Sequence, residues 1–240
     1  MTWPSGSALR LVLALVATGA LGVAVAAQSA PAAPQISAFG PGGGQGKVNS
    51  TYLAGYQVTE PGISRASVAF DVPTMNCGPD IGGTLEGIGN EQVEQNPTVL
   101  GFVYDACVFG SPQHSIGAFA RGEDKSAVVD EGDRIKVTIT QTPTLVKVIV
   151  TDVTAGPRVM ATATPTPDNS LTIGSFPAFS GPHPVADFGT VRMLHPTIEN
   201  TDLSAWSPTR LNRRSGSTTQ ISTTQFNGTT GAFSLVFQNH

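Results

Sequence analysis

The sequence predicts an all-β chain folded as an antiparallel β-sandwich. Apolar residues alternate with polar ones at period two in several separate stretches, the pattern of strands with one buried face. Gly and Pro, 27 and 18 of the 240 residues, fall at nearly every junction between those stretches. No window repeats its apolar residues at helical spacing.

The strands can be taken in chain order. Val68, Phe70 and Val72 point one way, with Ser67, Ala69 and Asp71 between them. Ile135, Val137 and Ile139 alternate with Lys136, Thr138 and Thr140. Val146, Val148 and Val150 make the next face, and Thr142-Pro143-Thr144 supplies the turn between these two strands. Phe233, Leu235 and Phe237 close the chain in the same way. Thr162 to Pro167 reads as a loop. Such a pattern builds a sandwich or a partly closed barrel.

Residues 1–27 have the layout of a secretory signal peptide. Arg10 precedes the apolar run Leu11 to Ala27, which ends in small residues that suit a signal peptidase. Residues 28–48 are rich in Ala, Pro, Ser and Gly and bury nothing, so they read as a flexible linker. The β domain is expected over 49–240. Localisation outside the cell follows, with no stable membrane anchor after cleavage.

Over the whole chain 13 Lys+Arg stand against 17 Asp+Glu, and Arg10 is the one charge of the leader. A mildly negative mature chain gives no electrostatic reason to expect nucleic acid as a partner. The two cysteines, Cys77 and Cys107, form an even count in an oxidising compartment, which points to one disulfide. It would close a loop of about 31 residues. His114, His183, His195 and His240 have no metal-ligand spacing, so no metal and no cofactor are expected. No Gly-x-Ser-x-Gly elbow is present. Arg210, Arg213 and Arg214 read as a solvated loop near Trp206. Asn49-Ser50-Thr51 and Asn227-Gly228-Thr229 match the glycosylation pattern.

Several segments, in order, resemble the glutamic peptidases, or eqolisins. Tyr52-Leu53-Ala54-Gly55-Tyr56 is similar to the family's opening N-W-A-G-Y, and Val68 to Pro73 to its first long strand. Gly87-Ile88-Gly89 resembles its G-I-D-G turn, and Val93-Glu94-Gln95 its V-E-Q segment. Glu131-Gly132-Asp133 resembles its x-G-D turn, and Ala186 to Val191 its A-D-F-G-T-V. The resemblance implies a concanavalin-like sandwich and a secreted acid endopeptidase acting on proteins or peptides. In that chemistry a glutamate serves as general base and then acid. A glutamine positions the water and donates to the oxyanion.

On this resemblance Gln95 takes the glutamine's place, and a competing alignment puts that place at Gly101. The glutamate's place, in a strand ahead of the x-G-D turn, falls at Ala118 or Phe119, where no carboxylate stands. Glu123 is the nearest glutamate, and a four-residue slip keeps the strand face. The cleft aromatics of the family are thinned as well. Leu53 stands for its opening Trp, Leu85-Glu86 for its W-V, and Leu171 to Gly174 for its A-E-W. The expectation is a divergent, non-catalytic member. Two alternatives stay open: an acid endopeptidase using Gln95 and a displaced carboxylate such as Glu123, and an extracellular module binding carbohydrate or peptide, with Trp206 and Tyr104 as candidate contacts.

Overall fold

In the computed structural model, described here for residues 47–79, 81–90, 98–165, 170–178 and 184–238, nearly every element is a strand. The first strands are β1 (Lys47–Ser50), β2 (Ala54–Thr59), β3 (Arg65–Asp71), β4 (Gly82–Gly89) and β5 (Val99–Val108). They are followed by β6 (Ser111–Ala120), β7 (Glu123–Val128), β8 (Arg134–Gln141), β9 (Val146–Asp152) and β10 (Arg158–Ala163). The last are β11 (Ser170–Pro177), β12 (Thr190–Ile198), β13 (Thr201–Asp202), β14 (Thr209–Ser215), β15 (Thr218–Thr223) and β16 (Phe233–Phe237). A single 3-10 turn, Leu203–Trp206, is the helical element among the described residues. The expected signal peptide, residues 28–46 of the expected linker, Gln95, His183 and His240 lie outside them.

The strands form two sheets joined at one strand. The smaller runs β10-β9-β8-β3-β12 and the larger β16-β15-β14-β2-β11-β4-β5-β6-β7. All pairings are antiparallel except β1 on β14, which is parallel. β12 belongs to both sheets. Its first half, Thr190 to Met193, pairs with β16, and its second half pairs with β3. The change of partner falls at a register shift between Leu194 and Thr197, where His195 takes a φ of 46°. Pro196 sits in this bulge, where its missing N–H costs no ladder bond.

The expected alternation holds where it was clearest. Ile135, Val137 and Ile139 of β8 and Val146, Val148 and Val150 of β9 point inward against the larger sheet. Ile88, Val103 and Ile116, on β4, β5 and β6, meet them from the other side. The Gly101 α-carbon closes against this layer, since a β-carbon there would lie 2.6 Å from Val137 and 2.9 Å from Val148. The turn at Thr142 to Leu145 forms as expected, with the Thr142 N–H donating to Leu145 O at 2.8 Å. The first described strand starts at Lys47, slightly ahead of the expected Asn49.

Three local expectations need correction. Gly87-Ile88-Gly89 is no turn; it is the end of β4, paired with β5 and β11. Thr162 and Ala163 are strand, the last residues of β10. Arg210, Arg213 and Arg214 are not a solvated loop; they belong to β14, and Arg213 is buried.

A row of glycines crosses the larger sheet. Gly174 of β11 is in register with Gly55 of β2 on one side and Gly87 of β4 on the other. Gly55 has a φ of +134°, and a β-carbon on Gly174 would lie 1.9 Å from the Ala54 carbonyl oxygen. Only residues without a side chain allow three backbones to approach this closely.

Candidate functional site

The larger sheet has two faces of different chemistry. Because strand residues alternate, β4 sends Thr84, Glu86 and Ile88 toward the smaller sheet and Leu85 outward. The outward face carries a second apolar cluster. Leu53, Leu100, Phe176 and Leu211 are buried there, and half-buried Leu85, Phe102 and Phe119 pack against them. Leu100 and Phe119 are direct cross-strand partners on β5 and β6. Of the two residues at the glutamate's expected place, Phe119 is on this outward face and Ala118 is buried in the main core. Beside it in register on the edge strand is Asp124, whose carboxyl is raised from its ordinary value by desolvation and lowered again by Lys125.

Glu123 faces the other way. It pairs with Ala120, a core residue, and its carboxylate accepts from the Thr162 N–H at 2.8 Å and the Thr162 hydroxyl at 3.3 Å. It ties the edge of the larger sheet to β10 of the smaller one. Gly101 also faces the inter-sheet layer, so the competing alignment puts the glutamine's place in the core. Trp206 packs against the main core, and its indole N–H is buried with no partner. Half-buried Tyr104 has a hydroxyl pKa raised by burial.

Sequence reasoning missed a chain of polar side chains on the inward face. Glu86 and Asp105 are both 0% exposed. They lie diagonally across the β4–β5 ladder, where Glu86 is in register with Val103 and Asp105 with Thr84, and both Glu86 oxygens and Asp105 Oδ2 are buried with no hydrogen-bond partner. Ionised carboxylates are acceptors only, so two at such neighbouring inward positions satisfy each other only by sharing a proton. Asp105 Oδ1 also lies 2.6 Å from His114 Nδ1, whose Nε2 is buried without a partner. Thr84, in register with Asp105, bonds Ser175 at 2.7 Å, and Ser175 is in register with Glu86. Arg213 is 7% exposed, with Nε and Nη1 unpartnered, and its charge acts on Glu86.

Burial and the neighbouring Asp105 push the Glu86 carboxyl well above the usual range, with Thr84 and Arg213 opposing. Burial pushes Asp105 up to about 7. Burial lowers His114, against the fields of Glu131, Glu86 and Asp130. Glu86, Asp105 and His114 each fall at the inward phase of a strand, but only the register between strands brings them together. Among the described residues no three or more His, Cys, Asp or Glu side chains are placed to hold a metal ion.

The Cys77–Cys107 disulfide forms as expected, with Cα atoms 5.3 Å apart, and holds the loop after β3 against the end of β5. Nearby, Asn76 and Asp187 make an isolated bridge, and Asp187 Oδ1 accepts from the Gly189 N–H at 3.0 Å. The Ala186-Asp187-Phe188-Gly189 segment therefore leads into the corner strand β12. At the opposite end of the sheets, a cavity of about 30 Å³ lined by Ile63, Asn90 and Gln141 has room for about one water.

Solved structures share this arrangement of strands. A scytalido-glutamic peptidase bound to a transition-state analog inhibitor superposes with a TM-score of 0.64 at 11% identity, over 78% of this chain and 98% of that one. SCP-B, an eqolisin in complex with the tripeptide Ala-Ile-His, gives 0.57 at 14% identity over the same shares. The aspergilloglutamic peptidase from Aspergillus niger gives 0.50 at 17% identity, over 65% of this chain and 99% of that one. The chain has the fold of the glutamic peptidases. No protein-family model and no curated protein sequence matches it.

Against the glutamic-peptidase fold, the sequence motifs acquire places. The x-G-D turn is the β7–β8 turn, where Gly132 has a φ of 83° and the Asp133 N–H donates to Asp130 O at 3.2 Å. The A-G-Y segment opens β2, and its glycine is part of the row described above.

Proposed function

We propose that this chain is an exported, non-hydrolytic protein of the glutamic-peptidase fold that holds an apolar, extended peptide on the outward face of its larger sheet. The observation carrying this reading is the Leu100–Phe119 cross-strand pair, set within Leu53, Leu85, Phe102, Phe176 and Leu211. A hydrolytic site needs a carboxyl and an oxyanion donor within hydrogen-bond reach of one water. Among the described residues that face offers an apolar floor with half-buried aromatic walls, with Asp124 beside Phe119 as its carboxyl, and the floor suits apolar side chains of a bound strand. The structural neighbours bound to a tripeptide and to a transition-state analog supply the analogy for a peptide ligand. Export rests on the leader at residues 1–27 and fits the Cys77–Cys107 disulfide.

The test has two arms. Purified protein is incubated with denatured protein substrate at roughly pH 2–5, where a carboxyl-based peptidase works, in the presence of pepstatin. No cleavage is expected, and robust cleavage sinks the non-hydrolytic reading. In the second arm an immobilised library of apolar peptides should retain the protein and lose it on Phe119→Ser. Equal retention of both forms rejects the outward face as the binding surface.

A further inference from the structure

The inward polar chain plays no part in the proposed peptide site. It lies on the opposite face of the same strands, and the energetics of the fold make it costly. Burying ionisable groups is expensive unless they are paired and hydrogen-bonded. Here two carboxyls, an imidazole and a guanidinium are buried on four strands. Glu86 is on β4, Asp105 on β5, His114 on β6 and Arg213 on β14. Three of those strands are consecutive neighbours in the larger sheet, so Glu86, Asp105 and His114 follow one another across the strand ladder, with Asp105 and His114 in contact.

We propose that Glu86, Asp105 and His114 form a proton-operated latch that keeps the β4–β5–β6 part of the sandwich closed in acid and releases it as the pH rises. One proton shared between Glu86 and Asp105 turns a repulsive pair of acceptors into a hydrogen bond. The imidazole Nδ1 takes the second oxygen-side contact on Asp105 at 2.6 Å. When the shared proton leaves, two negative charges face each other in a dry interior. Arg213 is the positive group within range, and it makes no direct ion pair with either. From the β7–β8 turn, Asp130 and Glu131 add negative field at His114 and offer no relief. Thr84 and Ser175 are neutral. On the smaller sheet Asp152 is buried at its strand end, but Oδ1 is committed to the Thr154 and Ala155 N–H groups at 2.8 and 3.0 Å.

The sign of the linkage follows. Both carboxyls have folded values above their unfolded ones, so folding takes up protons there. Their contribution is complete below about pH 4. It is lost as the pH rises through the folded values, about 7 for Asp105 and well above the ordinary carboxyl range for Glu86. His114 is lowered, so it works in the opposite sense as the pH falls below about 6.5. Two raised carboxyls outweigh one lowered imidazole, so the fold is tightest in mild acid.

The experiment is thermal unfolding of the full mature protein across about pH 4–9, alongside Glu86→Gln and Asp105→Asn. The wild-type midpoint should drop by at least about 5 °C between pH 5 and pH 8. In Glu86→Gln, which keeps a donor toward Asp105 but cannot ionise, that drop should be at most half as large. Infrared spectra of the wild type at about pH 6 should show a protonated carboxyl band that disappears in alkali. That measurement decides the matter even if the variants fail to fold. A wild-type midpoint that is flat or rises from pH 5 to 8, an undiminished drop in a folded Glu86→Gln, or no protonated carboxyl band at pH 6 would overturn the latch.

Discussion

Asp105 and His114 face each other across the β5–β6 pair, with Oδ1 and Nδ1 2.6 Å apart and both side chains shut away from water. Among the described residues the His114 ring is the one side-chain donor to Asp105, whose Oδ2 has no partner, so its loss strands a buried acid. His114→Leu is therefore expected to cost about 2–4 kcal/mol near neutral pH, from the unpaired acceptor rather than from lost volume. The deficit should shrink in acid, where Asp105 carries its own proton. Urea unfolding at about pH 5 and pH 7.5 checks both parts. An equal loss at the two values would show that packing, not the hydrogen bond, is responsible.

Cys77 and Cys107 join a loop to a strand end across a separation of 30 residues. Closing a loop of that size is worth roughly 3–4 kcal/mol on the chain-entropy account. Cys77→Ser with Cys107→Ser should lower the urea midpoint accordingly without changing the far-ultraviolet spectrum at low temperature. A change below about 1 kcal/mol would mean that the unfolded chain is already restrained at that point.

The glycine row makes a sharper claim about geometry. A β-carbon at Gly174 would lie 1.9 Å from the Ala54 carbonyl oxygen, and one at Gly87 would lie 2.0 Å from the Gly101 oxygen. Both obstacles are backbone and cannot turn aside. Gly132, by contrast, has open space around it, and its constraint is a φ of 83° in a turn. Gly174→Ala is thus expected to abolish soluble folded protein, while Gly132→Ala should fold with a loss of about 1 kcal/mol. Comparable soluble yields and melting points for the two would contradict the close approach of β2, β11 and β4.

Much of the fold was legible because it is written in period two. Ile135, Val137 and Ile139 alternate with Lys136, Thr138 and Thr140, and that alone assigns a strand and its buried side. The corner at β12 was not legible, because Leu194 to Ile198 look like any strand and the change of sheet is decided by which partner each half meets. The same holds for the inward polar chain. Glu86 was read as a replacement within a motif, and Asp105 and His114 stood separately in the sequence. Only strand register brings them together, and register between strands is a property of the whole sheet. Gly87-Ile88-Gly89 shows the opposite error, in which a motif match was read as a turn where the chain continues as strand.

The direction of two adjacent side chains sets the last prediction. Glu123 and Asp124 are neighbours on an edge strand, so they point to opposite sides of the sheet. Glu123 is turned inward and bound to Thr162 of β10, whereas Asp124 is in register with Phe119 of the outward cluster. A carboxylate substituting for the missing glutamate would have to reach the outward face, and Glu123 cannot do so without leaving its Thr162 contacts. If any acid proteolysis is detected, Asp124→Asn should reduce it at least about tenfold, while Glu123→Gln should leave it within about twofold. Glu123→Gln should instead lower stability by about 1 kcal/mol through its weakened bond to the Thr162 N–H. Loss of cleavage in Glu123→Gln with an unchanged melting point would reverse this assignment, since it would require Glu123 to act on substrate from a side chain that the structure commits to the smaller sheet.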